Sequence, residues 1–132
     1  MMVIFGGRGS DGTPLNDTWG LRKHRDGRLD WMKAPYRNNS KPAERYQHRS
    51  YFVGTLLLII GGRNNQVGES VPLDIYDTDS SDWYKLPNID RFRHACFMIE
   101  QNIYIHGGFD QEAPNIPTES TLKLDLNKAF SS

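Results

Sequence analysis

Residues 45–62 read RYQHRSYFVGTLLLIIGG, and residues 91–108 read RFRHACFMIEQNIYIHGG. Both open on Arg-x-x-His, pass through two apolar runs parted by a short polar or glycine break, and end in a Gly pair. Arg45 and Arg91, His48 and His94, and Gly62 and Gly108 are each 46 positions apart. Three landmarks on one spacing mark an internal repeat, and a repeat decides the fold before any local signal does. A third Gly pair, Gly6–Gly7, closes the run MVIFGG near the start.

Two further segments, WMKAP from Trp31 and WYKLP from Trp83, lie 52 positions apart. The extra length falls in one loop, because Trp31 precedes Arg45 by 14 residues and Trp83 precedes Arg91 by 8. Loops between fixed strands are where repeat architectures tolerate insertion.

Each unit reads as four short strands. The first is RYQHRSYFV or RFRHACFMI, followed by a turn at Gly54–Thr55 or Gln101–Asn102. The second ends at the Gly pair, the third holds DTWGL, LDIYD (with Tyr76) or LKLDL, and the fourth begins at the Trp. Branched and aromatic residues in short runs, bounded by Gly, Asn, Asp and Pro, are strand signals. No stretch has sustained helical periodicity. Four strands in about 40–50 residues are the signature of a propeller blade.

The expected fold is therefore all-β: a partial β-propeller of about three four-stranded antiparallel blades, near 1–35, 45–87 and 91–128 of a repeat region covering 1–132. The first blade lacks its first strand and the last its fourth, so ten strands are expected. Propellers have four to eight blades, so further blades N-terminal to Met1 are expected. Unpaired strand edges are an association hazard, which makes self-association of the fragment an expectation. Gly6, Gly7, Gly61, Gly62, Gly107 and Gly108 let the backbone turn with positive φ and let strands approach closely. Trp31 and Trp83 supply bulk for the wedge between blades.

The chain has 132 residues, with 16 Lys plus Arg against 16 Asp plus Glu. A net charge of zero gives no long-range attraction to a polyanion, so no nucleic-acid partner is expected. A hydrophobic fraction of 37% with 11% aromatics is too rich for disorder. The single cysteine, Cys96, excludes an internal disulfide and fits an intracellular, cytoplasmic or nuclear location. Tyr51 to Ile60 is too short an apolar run to span a bilayer, so no membrane partner is expected. Met1 to Phe5 runs straight into a Gly pair, so no secretory leader is expected.

The Gly pair, then Tyr76–Asp77, then Trp83 resemble the kelch repeat. A narrower resemblance lies in WGLRKHRDGRLDWMKAP (Trp19 to Pro35) and ERYQHRSYFV (Glu44 to Val53), which are similar to the kelch region of the serine/threonine protein phosphatases with kelch-like repeats, known from plants and protists. In that family a six-bladed propeller precedes a phosphatase domain. The resemblance implies a non-catalytic interaction or regulatory segment of a larger hydrolase, with the rest of the propeller and the phosphatase domain as partners. A di-metal centre such as manganese belongs to that domain; its GDxHG, GDxxDRG and GNHE motifs do not occur here, and no cofactor is expected in this chain. Two alternatives stay open: a substrate-receptor propeller of a ubiquitin-ligase adaptor, and a kelch-fold oxidase or sugar epimerase.

Single motifs have bland readings. His48 and His94 fall in separate blades and are expected to pack rather than to ligate. Cys96 is expected to be a buried, inert thiol. DTDSSD, Asp77 to Asp82, lacks the glycine and distal glutamate of a calcium loop and reads as a solvated turn. Arg22, Lys23, His24, Arg25 and Arg28 surround Asp26–Gly27 and read as the solvated tip of a lengthened hairpin.

The expected functional surface is a rim of loops. It comprises Arg8 to Leu15, Arg63 to Pro72 and Phe109 to Glu119, with Tyr36 to Glu44 and Asn88 to Asp90 beside them. Its candidate partner-binding residues are Arg8, Arg45, Arg63, Arg91, Asn64 and Phe109. Guanidinium groups grip carboxylates and phosphates in two-pronged fashion, so acidic or phosphorylated protein segments are the expected ligands. Arg45 and Arg91 have a second reading, as internal braces of their blades.

Overall fold

Three antiparallel sheets make up the computed structural model, which describes residues 2–36, 41–66, 71–110 and 116–126. The expected end of the third unit at 127–128 lies outside the described residues, as do 37–40, 67–70 and 111–115 of the rim loops. The first sheet is β1 (Met2–Arg8), β2 (Pro14–Lys23) and β3 (Leu29–Lys33), paired in that order. The second is β4 (Arg49–Val53), β5 (Leu56–Ile60), β6 (Val71–Asp77) and β7 (Asp82–Ile89). The third is β8 (Ala95–Ile99), β9 (Asn102–His106) and β10 (Thr121–Asp125). Each strand pairs with its neighbour in sequence, so every sheet is a meander, as a propeller blade is.

Strand alternation explains how the blades pack. Leu57 and Ile59 of β5 point to one face, where with Tyr76 and Trp83 they meet Phe5, Val3 and Ala34 of the first blade. Leu58 and Ile60 point to the other, where with Leu73 and Ile75 they meet Ile103, Ile105 and Leu126 of the third. The run LLLII is apolar throughout because β5 is covered on both faces. Tyr76 and Trp83 are opposite residues on β6 and β7 with rings 4.9 Å apart, and the Tyr76 hydroxyl donates to the Pro35 carbonyl.

Three local expectations are corrected. The Arg-x-x-His segments are not regular strand, for Gln47 and Arg93 have φ of 60° and 52° and the strands begin only at Arg49 and Ala95. The turn in the third blade is at Glu100–Gln101, one residue earlier than read, with Glu100 at φ 56° where Gly54 has 59°. The fourth strand of the second blade continues past Pro87 to Ile89, with a register shift that leaves Pro87 unpaired. An outer edge strand is where proline is tolerated.

The Gly pairs are the joints between blades. Gly7 N–H donates to the Arg45 carbonyl and Gly62 N–H to the Arg91 carbonyl, so the first two pairs bind the Arg-x-x-His segment of the following blade, while Gly107 N–H of the third donates to the Ser120 carbonyl of its own blade. A Cβ on Gly61 would stand 2.4 Å from the Arg91 carbonyl and 2.6 Å from the His94 ring. Only glycine admits that approach, and its φ of 66° is a second reason.

Candidate functional site

The loops that follow the Gly pairs and those that lead into the Arg-x-x-His segments meet on one side of the blades. Asn65 donates to the Gly12 carbonyl at 2.9 Å, and Asn16 to the Pro42 carbonyl at 3.1 Å. Between them a cavity of about 310 Å³ is lined by Pro14, Ala43, Glu44, Asn64, Asn65 and Gln66. Asn64 is half-buried there, its side-chain oxygen accepting the Gln66 N–H in a local turn.

Five side chains make a row along this rim. The exposed Arg8 guanidinium lies over the Tyr46 ring, 5.3 Å from its centre. Tyr46 and Arg63 exchange both backbone hydrogen bonds, which sets the Arg63 guanidinium 6.0 Å from the same ring and 4.5 Å from the centre of the Phe92 ring. Phe92 and Phe109 exchange backbone bonds in the same way, and their rings stack 5.6 Å apart. Phe109 thus stands where Arg8 and Arg63 stand in the other blades, as a half-buried pillar beneath Phe92. Each cation–ring contact is worth about 0.5–1 kcal/mol at exposed sites, enough to hold an arginine in place without neutralising it. Arg63 Nε is buried with no acceptor among the described residues. The Tyr46 hydroxyl, bonded to Asn65 at 3.0 Å, closes the row against the cavity.

Arg45 and Arg91 require a correction, because both side chains run inward behind this row. Arg45 is 0% exposed. It donates to the Gly61 carbonyl at 3.0 Å and the Ala43 carbonyl at 3.2 Å, and it pairs with the Asp74 carboxylate. Burial draws its pKa down to about 10 against the opposing pull of Asp74. Arg91 is 6% exposed and donates to the carbonyls of Gly107 and Ser120. Arg45 and Arg91 brace their blades; neither presents a guanidinium to a partner. The arginines of the rim are Arg8 and Arg63. Tyr46 and Phe92 were missed in the sequence, although each directly follows the repeated arginine.

The remaining motifs are structural. His48 lies edge-on to Phe5, 5.6 Å away, and the His94 ring sits against Gly61. Burial first, and then neighbouring guanidinium charge, lowers both histidines to about 4. Cys96 is half-buried against the core between the second and third blades, and burial raises its thiol. Asp77 accepts the N–H groups of Asp79 and Ser80, which makes DTDSSD a side-chain-capped turn. His24 pairs with Asp30 and Arg28 with Asp26 at the exposed hairpin tip. His106 is exposed and bonded to Thr121. Among the described residues no three His, Cys, Asp or Glu side chains converge as metal ligands.

Comparison with known proteins agrees with this geometry. A family model described as Kelch motif matches residues 44–90, the whole second blade with its Arg-x-x-His segment. The chain is 29% identical, over 82% of its length, to the serine/threonine-protein phosphatase BSL2 of Arabidopsis thaliana. It is 26% identical, over 99% of its length, to an F-box/kelch-repeat protein of the same plant, and 28% identical, over 63%, to human Kelch-like protein 25. It spans only 13%, 29% and 14% of those three proteins, respectively.

Proposed function

We propose that this chain, a run of kelch repeats, is the non-catalytic interaction segment of a larger serine/threonine phosphatase, and that it holds acidic or phosphorylated protein segments on the rim formed by Arg8, Tyr46, Arg63 and Phe92. The Arg63 guanidinium carries this reading: it lies on two aromatic rings and pairs with no carboxylate among the described residues. A guanidinium laid on an aromatic face keeps its charge and its outer N–H groups for an oxyanion, and the half-buried Tyr46 ring adds apolar contact to the ligand's stem. The likeness to a phosphatase supports the wider role. In that role the rim recruits protein substrates or governs access to the phosphatase domain.

Fluorescence anisotropy tests the rim with labelled peptides that carry phosphoserine, a run of Asp, or neither. The first two are expected to bind and the third to fail. Arg8→Ala with Arg63→Ala is expected to weaken binding at least tenfold, since hydrogen bonds to charged groups contribute about 1.5–3 kcal/mol each. Unchanged affinity removes these arginines from the site. The wider role is tested by extending the reading frame: GDxHG, GDxxDRG and GNHE motifs beyond Ser132 are expected.

The likeness of 99% of this chain to part of an F-box/kelch-repeat protein favours a second reading, a substrate receptor of a ubiquitin-ligase adaptor. It expects a helical adaptor-binding domain upstream of the blades and no phosphatase motifs.

A further inference from the structure

Arg45 and Arg91 hold the same place in successive repeats, but what meets their guanidinium groups differs. Arg45 faces the fully buried Asp74 carboxylate, which the Lys85 ammonium and the Ala43 N–H also reach, each at 2.8 Å. Asp74 and Ser120 each follow their arginine by 29 residues, although in strand register Leu122, not Ser120, stands where Asp74 does. Arg91 nevertheless donates to the Ser120 Oγ, to the Ser120 carbonyl at 3.1 Å and to the Gly107 carbonyl at 3.2 Å. Among the described residues no carboxylate pairs with it. Among the described residues Arg91 is thus a buried cation served by neutral oxygens, a costly arrangement without an anion. Ser120 itself is exposed, as are Ile116, Pro117 and Glu119 in the stretch that leads to it.

We propose that Ser120 is a phosphoacceptor whose phosphate takes on Arg91 the place that the Asp74 carboxylate takes on Arg45. In the site of a protein kinase, the Ser120 Oγ attacks the γ-phosphorus of a nucleoside triphosphate. The Oγ–P bond forms as the bond from that phosphorus to the bridging oxygen breaks. The nucleoside diphosphate leaves, and the hydroxyl proton passes to the kinase's base. The product carries a charge of about −1.5 to −2 beside a fixed guanidinium, the setting in which phosphorylation orders structure. The consequence reaches the joint and the rim. The Arg91 carbonyl accepts the Gly62 N–H at 2.6 Å, and Phe92, the next residue, carries Arg63 on its ring. Phosphorylation therefore tightens the seam between the second and third blades and steadies the row above it. The inference stands whether or not the rim's ligand is phosphorylated.

The test compares the full chain with serine, with genetically encoded phosphoserine and with aspartate at position 120. Phosphoserine is expected to raise the thermal midpoint by roughly 4 °C or more, the response of a small domain to one added strong interaction. S120D is expected to give a smaller rise and S120A none. In the phosphorylated chain, a 31P titration is expected to place the second phosphate ionisation below its usual value of about 6, and Arg91→Gln to return it there. This readout reports the contact between Arg91 and the phosphate separately from any change in stability. Phosphopeptide mapping of the chain recovered from a eukaryotic host is expected to find phosphate on Ser120. An unchanged or lowered midpoint, a phosphate titration indifferent to Arg91, or an unmodified Ser120 overturns the proposal.

Discussion

Trp31 and Trp83 open nearly the same words, WMKAP and WYKLP, yet one is 52% exposed and the other 4%. Trp83 lies on β7 opposite Tyr76, on the face of the second blade that meets the first, with its ring 5.6 Å from Phe5. Trp31 lies on β3 opposite Leu21 in the matching place, on a face that no described residue covers. Met2 and Ile4 share that exposure, while their neighbours Val3 and Phe5 are packed into the joint. The difference teaches that a blade's side chains are chosen for a neighbour's surface. An isolated sheet gives its Trp nothing to bury against; the seam between two sheets does.

The comparison breaks most visibly if Trp83 proves dispensable. Trp83→Ala removes the largest side chain of the first seam and is expected to cost about 3–5 kcal/mol, read as a lowered midpoint in urea. Acid attacks the same seams through His48 and His94. Their folded pKa values of about 4 lie below the ordinary 6.5, so the unfolded chain binds more protons between those values. Stability is therefore full above pH 6.5, falls as pH drops toward 4 and levels off below it. The loss is up to about 3 kcal/mol per histidine, and His48→Gln with His94→Gln should flatten the slope in urea titrations at pH 4–7.

Glycines sharpen the contrast further. Gly61→Ala drives a Cβ into the Arg91 carbonyl and is expected to cost about 1–3 kcal/mol. Gly7→Ala meets nothing within 4 Å, so only its φ of 109° opposes the change and the cost should be smaller. Smallest of all is Trp31→Ala, expected to change stability by less than about 0.5 kcal/mol while removing the fluorescence most open to acrylamide quenching. A loss comparable to that of Trp83→Ala would show that the exposed face is packed in solution.

Much of this was legible in the chain itself. All ten strands and their grouping follow from Gly pairs, Trp and apolar runs, because those signals are local. The rim was legible only in part. Arg8 and Arg63 stand out after their Gly pairs, but Tyr46 and Phe92 resemble ordinary strand residues until the bridges to Arg63 and Phe109 place them beneath a guanidinium. The inward course of Arg45 was undecided for the same reason: Asp74, its counter-charge, lies 29 residues away.

The repeat spacing and the alternation of side chains settled, before any coordinates, that this chain folds as meandering sheets with glycine at their joints. Backbone preference and the two faces of a strand act over a few residues, so they can be read along the line. Which Trp is covered, which arginine braces and which stands at the rim, and that Arg91 meets Ser120 where Arg45 meets a carboxylate, were decided only by the packing of one blade on the next. Burial and charge pairing depend on neighbours brought together from far along the chain.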